Sequence, residues 1–289
     1  MEMAGIHLDQ TVGRENERRS AVALVGGDGC LTGLVRAGPD EDILAALPGT
    51  AALAIVDAPL VVRNDSGRRD LEELLAWCDH PTFPVARRRL LALHGGIRGE
   101  GLGRAAAERG HGVVEALPDL VLRQLHWERG HPLGTRALDL RDYREAWLSV
   151  KAPVFRPRGR RPARADGVDS AYALLAAVLD LSGWRPAHDP DAALAAADSA
   201  FLDAIACAYA GWRAARGAGA VVIGSPDRGR MIVPADANLE GRLRLHAERL
   251  QTAGGRAITI ADGRDAAGLA ARAGRQQAIL PARRPEDGR

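Results

Sequence analysis

The stretch Ser20-Ala21-Val22-Ala23-Leu24-Val25-Gly26-Gly27-Asp28-Gly29-Cys30-Leu31-Thr32-Gly33-Leu34-Val35-Arg36 holds two β-type runs around a Gly-Gly-Asp-Gly turn. That turn composition admits positive φ and joins neighbouring antiparallel strands. Upstream, Met3 to Asp9 reads as another strand, so three antiparallel strands are expected to open the chain. Downstream, Pro39-Asp40-Glu41-Asp42 starts a short helix, and Ala51 to Val56 reads as a buried strand. Helical patterns over Arg68 to Trp77, Ala86 to Leu93 and Arg104 to Arg109 lead to a short strand, Val113 to Glu115, and then a helix opened by Pro118. Two helices, Val168 to Leu181 and Ala192 to Arg216, precede a hairpin of Ala220 to Ile223 with Met231 to Val233. The alternation implies an α/β fold on a mixed sheet. Helix, strand (Ala257 to Ile260) and helix follow, then a polar tail expected to be disordered.

The chain has 289 residues, of which 46% are hydrophobic, enough for a sizeable core without staples. Basic and acidic residues number 39 and 37, so a net charge of +2 gives no global pull toward nucleic acid or membrane. Any polyanion site must be local. Lys151 is the single lysine, and the Arg, Ala and Gly richness points to a GC-rich genome more than to phosphate binding. Cys30, Cys78 and Cys207 are far apart and lack metal-type spacing, which suggests reduced thiols. With no leader pattern and no apolar run of membrane length, a soluble cytoplasmic protein is expected. Oligomeric state is not legible.

Four acidic motifs carry the chemistry: Gly5-Ile6-His7-Leu8-Asp9, Val56-Asp57-Ala58-Pro59, Val114-Glu115-Ala116-Leu117-Pro118 and Leu202-Asp203-Ala204-Ile205. In the first three, an apolar run delivers a carboxylate near a strand's C-terminal end, where ligands collect. Asp203 is out of place in an Ala-rich helix unless it faces a cation or a partner. Taken singly, each carboxylate is more often a cap or turn former. Together, Asp9, Asp57, Glu115 and Asp203 predict a site for Mg²⁺ or Mn²⁺, hard cations that prefer carboxylate oxygen. His7 lies two residues from Asp9, on the same strand face, and is placed in the site or beside it as a proton carrier. Asp198, five residues before Asp203, is read as a cap or a solvent-facing group, with Ser199 as another candidate cap.

The ordered motifs resemble a family of predicted RNase H-like nucleases, domain of unknown function 429, from the first strand to about Pro234. The residues carrying the resemblance are Val56-Asp57-Ala58-Pro59, Arg68-Arg69-Asp70, Phe83-Pro84, Val114-Glu115-Ala116-Leu117-Pro118, Asp203-Ala204-Ile205 and Gly229-Arg230-Met231-Ile232-Val233-Pro234. The resemblance implies an RNase H-like domain over residues 1–235. Its five-stranded mixed sheet would have three antiparallel strands first, flanking helices and the acidic cluster at its centre. Residues 236–275 would then form an accessory segment, and 276–289 a tail. The chain departs from the family at His7, which stands where the family has Asp.

The resemblance makes divalent-metal-dependent cleavage of a nucleic acid the leading expectation, with a basic loop, Lys151 to Arg164, on the phosphates. Arg156, Arg158, Arg160 and Arg161 are its candidate contacts. A weakened or silent RNase H-like module that binds nucleic acid or a protein is the alternative, and His7 is its best support. Asp9-Gln10-Thr11 loosely resembles the phosphate loop of actin-like ATPases, but no glycine-rich second phosphate loop accompanies it.

Overall fold

In a computed structural model, residues 1–13, 17–132, 136–156, 165–187, 192–254, 258–266 and 268 are described. The opening hairpin forms as its sequence requires: β2 (Ser20–Val25) pairs antiparallel with both β1 (Met3–His7) and β3 (Leu31–Ala37). Gly29, in the turn, has φ of 93°, the left-handed region glycine tolerates. After α1 (Asp40–Ala46), β4 (Leu53–Asp57) lies parallel to β1. Three helices, α2 (Asp70–Trp77), α3 (Arg87–His94) and α4 (Arg98–Glu108), precede β5 (Gly112–Glu115), which is parallel to β4.

The chain continues through α5 (Pro118–Gly130), α6 (Leu140–Ser149), α7 (Ala165–Ala176) and the 24-residue α8 (Ala192–Ala215). It closes with the hairpin β6 (Ala220–Ser225) and β7 (Gly229–Pro234), then α9 (Ala237–Gly254) and β8 (Ile260–Asp262). The sheet has eight strands in the order β3-β2-β1-β4-β5-β7-β6-β8, three more than expected. The additional strands arise because β7 adds parallel to β5 and its partner β6 then accepts β8 on the other side. The C-terminal segment thus shares the sheet, and Leu239 and Leu243 of α9 are buried in an apolar cluster with Leu71 and Leu74 of α2. Residues 276–289 lie outside the described residues.

Strand alternation splits the sheet into two faces. Met3, Leu53, Ile55 and Val114 point into a core built on α8, whereas Ala4, Ile6, Ala54 and Val56 point into a core with α1 and α4. Small residues bring α8 against the first face. A Cβ on Gly5 would lie 1.9 Å from the Ala204 carbonyl oxygen and 2.3 Å from the Ala208 nitrogen, so only glycine permits this approach. That packing places Asp203 over the end of β1.

Candidate functional site

His7 and Asp57 end neighbouring parallel strands and are register partners, so their side chains emerge side by side on the α8 face. Asp203 descends on them from mid-helix. His7 Nδ1 lies 3.2 Å from an Asp57 oxygen and 3.4 Å from Asp203 Oδ2. One donor atom from each of the three falls within 4.8 Å of the others, a span that suits the ligands of one small divalent cation. Asp203 is 1% exposed, while His7 and Asp57, at 24% and 22%, reach the solvent side. The group opens onto a cleft of about 820 Å³ that Arg36, Arg156 and Asp9 also line.

A buried carboxylate requires compensation, and Arg156 supplies most of it. Its Nε donates to Asp203 Oδ2 at 2.6 Å, and its two terminal nitrogens donate to Asp203 and to Asp119. Burial pushes the Asp203 carboxyl up to about 6, although the charges of Arg156 and His7 pull the other way. Burial alone would lower His7. The hydrogen bond to Asp57 and the negative charges of Asp203 and Asp57 outweigh burial and leave the imidazole raised. The like charge of Asp57 also raises Asp203, but desolvation is the larger cause.

Glu115 takes another direction. It is the register partner of Val56, not of Asp57, so alternation sends its side chain to the opposite face of the sheet. There Arg69 binds it with two hydrogen bonds of 2.8 and 2.7 Å, and the Leu60 amide donates to it at 2.9 Å. Arg69 also pairs with Glu72, which makes a buried three-member ion network. Asp9 lies beyond the end of β1, and its carboxylate accepts from the Thr11 amide at 3.0 Å. Arg98 holds the Asp9 carbonyl oxygen at 2.7 Å, which fixes this turn at the cleft wall. In place of the expected four carboxylates, the group of donors among the described residues is therefore His7, Asp57 and Asp203.

The remaining candidates divide. Arg156 sits at the site but binds carboxylates within the protein, while Arg158, Arg160 and Arg161 lie outside the described residues. Asp198 is neither a cap nor solvent-facing: α8 starts six residues earlier, and the buried carboxylate accepts from the Ala187 amide at 3.0 Å. Ser199 is likewise no cap, since its hydroxyl donates to the Phe155 carbonyl oxygen. Among the described residues no helix is long and apolar enough to cross a membrane.

No family model, curated protein or solved structure matches the chain. Geometry and chemistry must therefore carry the functional reading.

Sequence reasoning missed Arg156 as the counter-ion of Asp203. It also missed Gln10, Thr82 and His94, which line a second cavity beside the first. The signal for Arg156 was available, because a carboxylate buried in an alanine-rich helix requires a cation, and Arg156 follows the apolar Val154-Phe155.

Proposed function

We propose that the protein is a divalent-metal-dependent hydrolase of nucleic-acid phosphodiesters built on an RNase H-like frame. The observation that carries this reading is the convergence of His7, Asp57 and Asp203 on the same few ångströms at the ends of two parallel strands, in a cleft with arginines in its wall. The antiparallel start of the sheet and the parallel run of β1, β4 and β5 support the frame that the motifs imply.

His7, Asp57 and Asp203 would hold the cation. Their mixed nitrogen and oxygen donors suit Mn²⁺ better than Mg²⁺, which prefers an all-oxygen shell. When bound, such an ion supplies a Lewis acid and lowers the pKa of a water. Arg156 offsets the charge of Asp203 and lies in the cleft wall, where a phosphate oxygen would compete for the two guanidinium N–H donors that Asp203 and Asp119 leave unused. Arg36 extends that positive wall. Asp9, on the same wall, keeps substrate anions toward the arginine side by charge repulsion.

Two observations favour the second reading, a catalytically silent module that binds nucleic acid or a protein. Arg156 already compensates Asp203 without a metal, and His7 stands in place of a third carboxylate. The two readings separate in one experiment. Purified protein is melted with and without Mn²⁺ and assayed on labelled single-stranded and duplex DNA and RNA, beside Asp57→Asn and His7→Asp. A nuclease shows a Mn²⁺-dependent rise in Tm and Mn²⁺-dependent cleavage, both lost in Asp57→Asn. Higher activity in His7→Asp would mark a weakened enzyme. Cleavage by Asp57→Asn at the wild-type rate would sink the mechanism.

A further inference from the structure

Beside the cleft lies a second cavity of about 550 Å³, and Gln10, Asp57 and His94 belong to the walls of both. Its size falls in the range of small-molecule sites. Val85, Leu90 and Met231 give it buried apolar walls, and Phe83, 49% exposed, stands at its edge with the Arg89 guanidinium 3.8 Å from its ring centroid. Against this apolar lining, three polar atoms are anomalous. Gln10 Oε1, Thr82 Oγ1 and His94 Nδ1 are shielded from solvent, and none has a hydrogen-bond partner among the described residues. A shielded polar atom without a partner is unfavourable, and three on residues lining one cavity would gain partners if these side chains turned toward a polar ligand there. Arg69, Glu72 and Glu115, which line the same cavity, satisfy one another, so the deficit among its lining side chains is confined to Gln10, Thr82 and His94.

We infer that this cavity receives the base of the nucleotide whose phosphate lies at His7, Asp57 and Asp203, which makes single-stranded nucleic acid the substrate. The inference rests on the nuclease reading for the phosphate but not for the base. A nucleobase is a plate with apolar faces and an edge of donors and acceptors. Its faces match Val85, Leu90 and Met231, and its edge matches an amide, a hydroxyl and an imidazole nitrogen. A base seated in a cavity has left its stack, and the cost of unstacking is least in a single strand. Asp57, common to both cavities, places the two subsites next to each other.

The test separates the base pocket from the metal chemistry. In EDTA, adenosine, guanosine, cytidine and uridine are titrated into the protein by calorimetry, beside Thr82→Val, Gln10→Leu and Leu90→Trp, each first shown to be folded by its melting curve. At least one nucleoside should bind saturably. Thr82→Val and Gln10→Leu should each weaken it about three- to tenfold, the loss of one hydrogen bond, and Leu90→Trp should abolish it by filling the pocket. Adding Mn²⁺ should tighten the matching 5′-monophosphate but not the nucleoside. Absence of saturable binding by all four nucleosides, or binding indifferent to Thr82→Val and Gln10→Leu, would overturn the pocket even if the protein cleaves nucleic acid. Cleavage of duplex as fast as single strand would also overturn it. Nucleoside binding with the expected variant pattern but no cleavage would leave the pocket standing and remove the nuclease reading.

Discussion

At the residue scale, one position of strand register separates a ligand from a structural ion pair. Asp57 and Glu115 both end strands, and their motifs look equivalent in sequence, yet Glu115 pairs in register with Val56 and therefore faces the other side of the sheet. Strand-end carboxylates are legible; which face each occupies is not, because the face depends on how β4 and β5 align. Glu115→Gln accordingly serves as a control for the site. It leaves Arg69 paired with Glu72 alone in a buried setting, which should cost about 2–3 kcal/mol in urea unfolding. The Mn²⁺-dependent rise in Tm should persist. A variant of near wild-type stability that no longer responds to Mn²⁺ would return Glu115 to the metal site.

At the element scale, α8 depends on the small residues beneath it. Leu202 and Ile205 of α8 are buried in the same core as Ala204 and Ala208, and Gly5 is the point where β1 meets the helix backbone. Gly5→Ala should force the helix outward or distort β1, with a loss of about 3 kcal/mol or more, since the clash is with backbone rather than a flexible side chain. The same shift separates Asp203 from His7, so the variant should also lose metal-induced stabilisation. Urea unfolding with and without Mn²⁺ reads both effects. A fully stable Gly5→Ala protein would mean that α8 packs elsewhere. Most elements are legible from apolar period and turn chemistry, as β2 and α8 illustrate. The helix α6 is not, although Asp139 caps it by accepting from the Arg141 and Asp142 amides and Tyr143 and Trp147 mark its buried face. Its 4-residue apolar spacing is short, and the polar residues around it hide the period.

Across the whole molecule, long-range pairing explains what the sequence hides. The hairpin of β6 and β7 is readable locally, but its addition to β5, and the addition of β8 to β6, depend on contacts made only in the folded chain. Protonation is another property that only the assembled molecule sets, and it yields a signed prediction. Burial and the charge of Arg123 lower His80 to about 4, and its Nδ1 faces Arg123 Nη1 at 3.5 Å, so the folded chain keeps this imidazole neutral. His111 and His246 are also lowered, mainly by burial. These groups take up protons in the unfolded chain from about pH 6.5 downward but resist doing so when folded. The stability they contribute is therefore complete above pH 6.5 and lost as pH falls toward their folded values. His7 and Asp203, both raised, act in the opposite sense: their contribution is present at low pH and lost as pH rises through the folded values. His80→Gln isolates one member of this balance. In EDTA, the wild-type unfolding free energy should fall relative to the variant between pH 6.5 and 5, by at most about 1.4 kcal/mol per pH unit for one proton. Urea titrations at pH 7.5, 6.5, 5.5 and 5 measure the difference. Parallel curves would show that His80 accepts its proton in the folded chain, and that the contact with Arg123 does not hold it neutral.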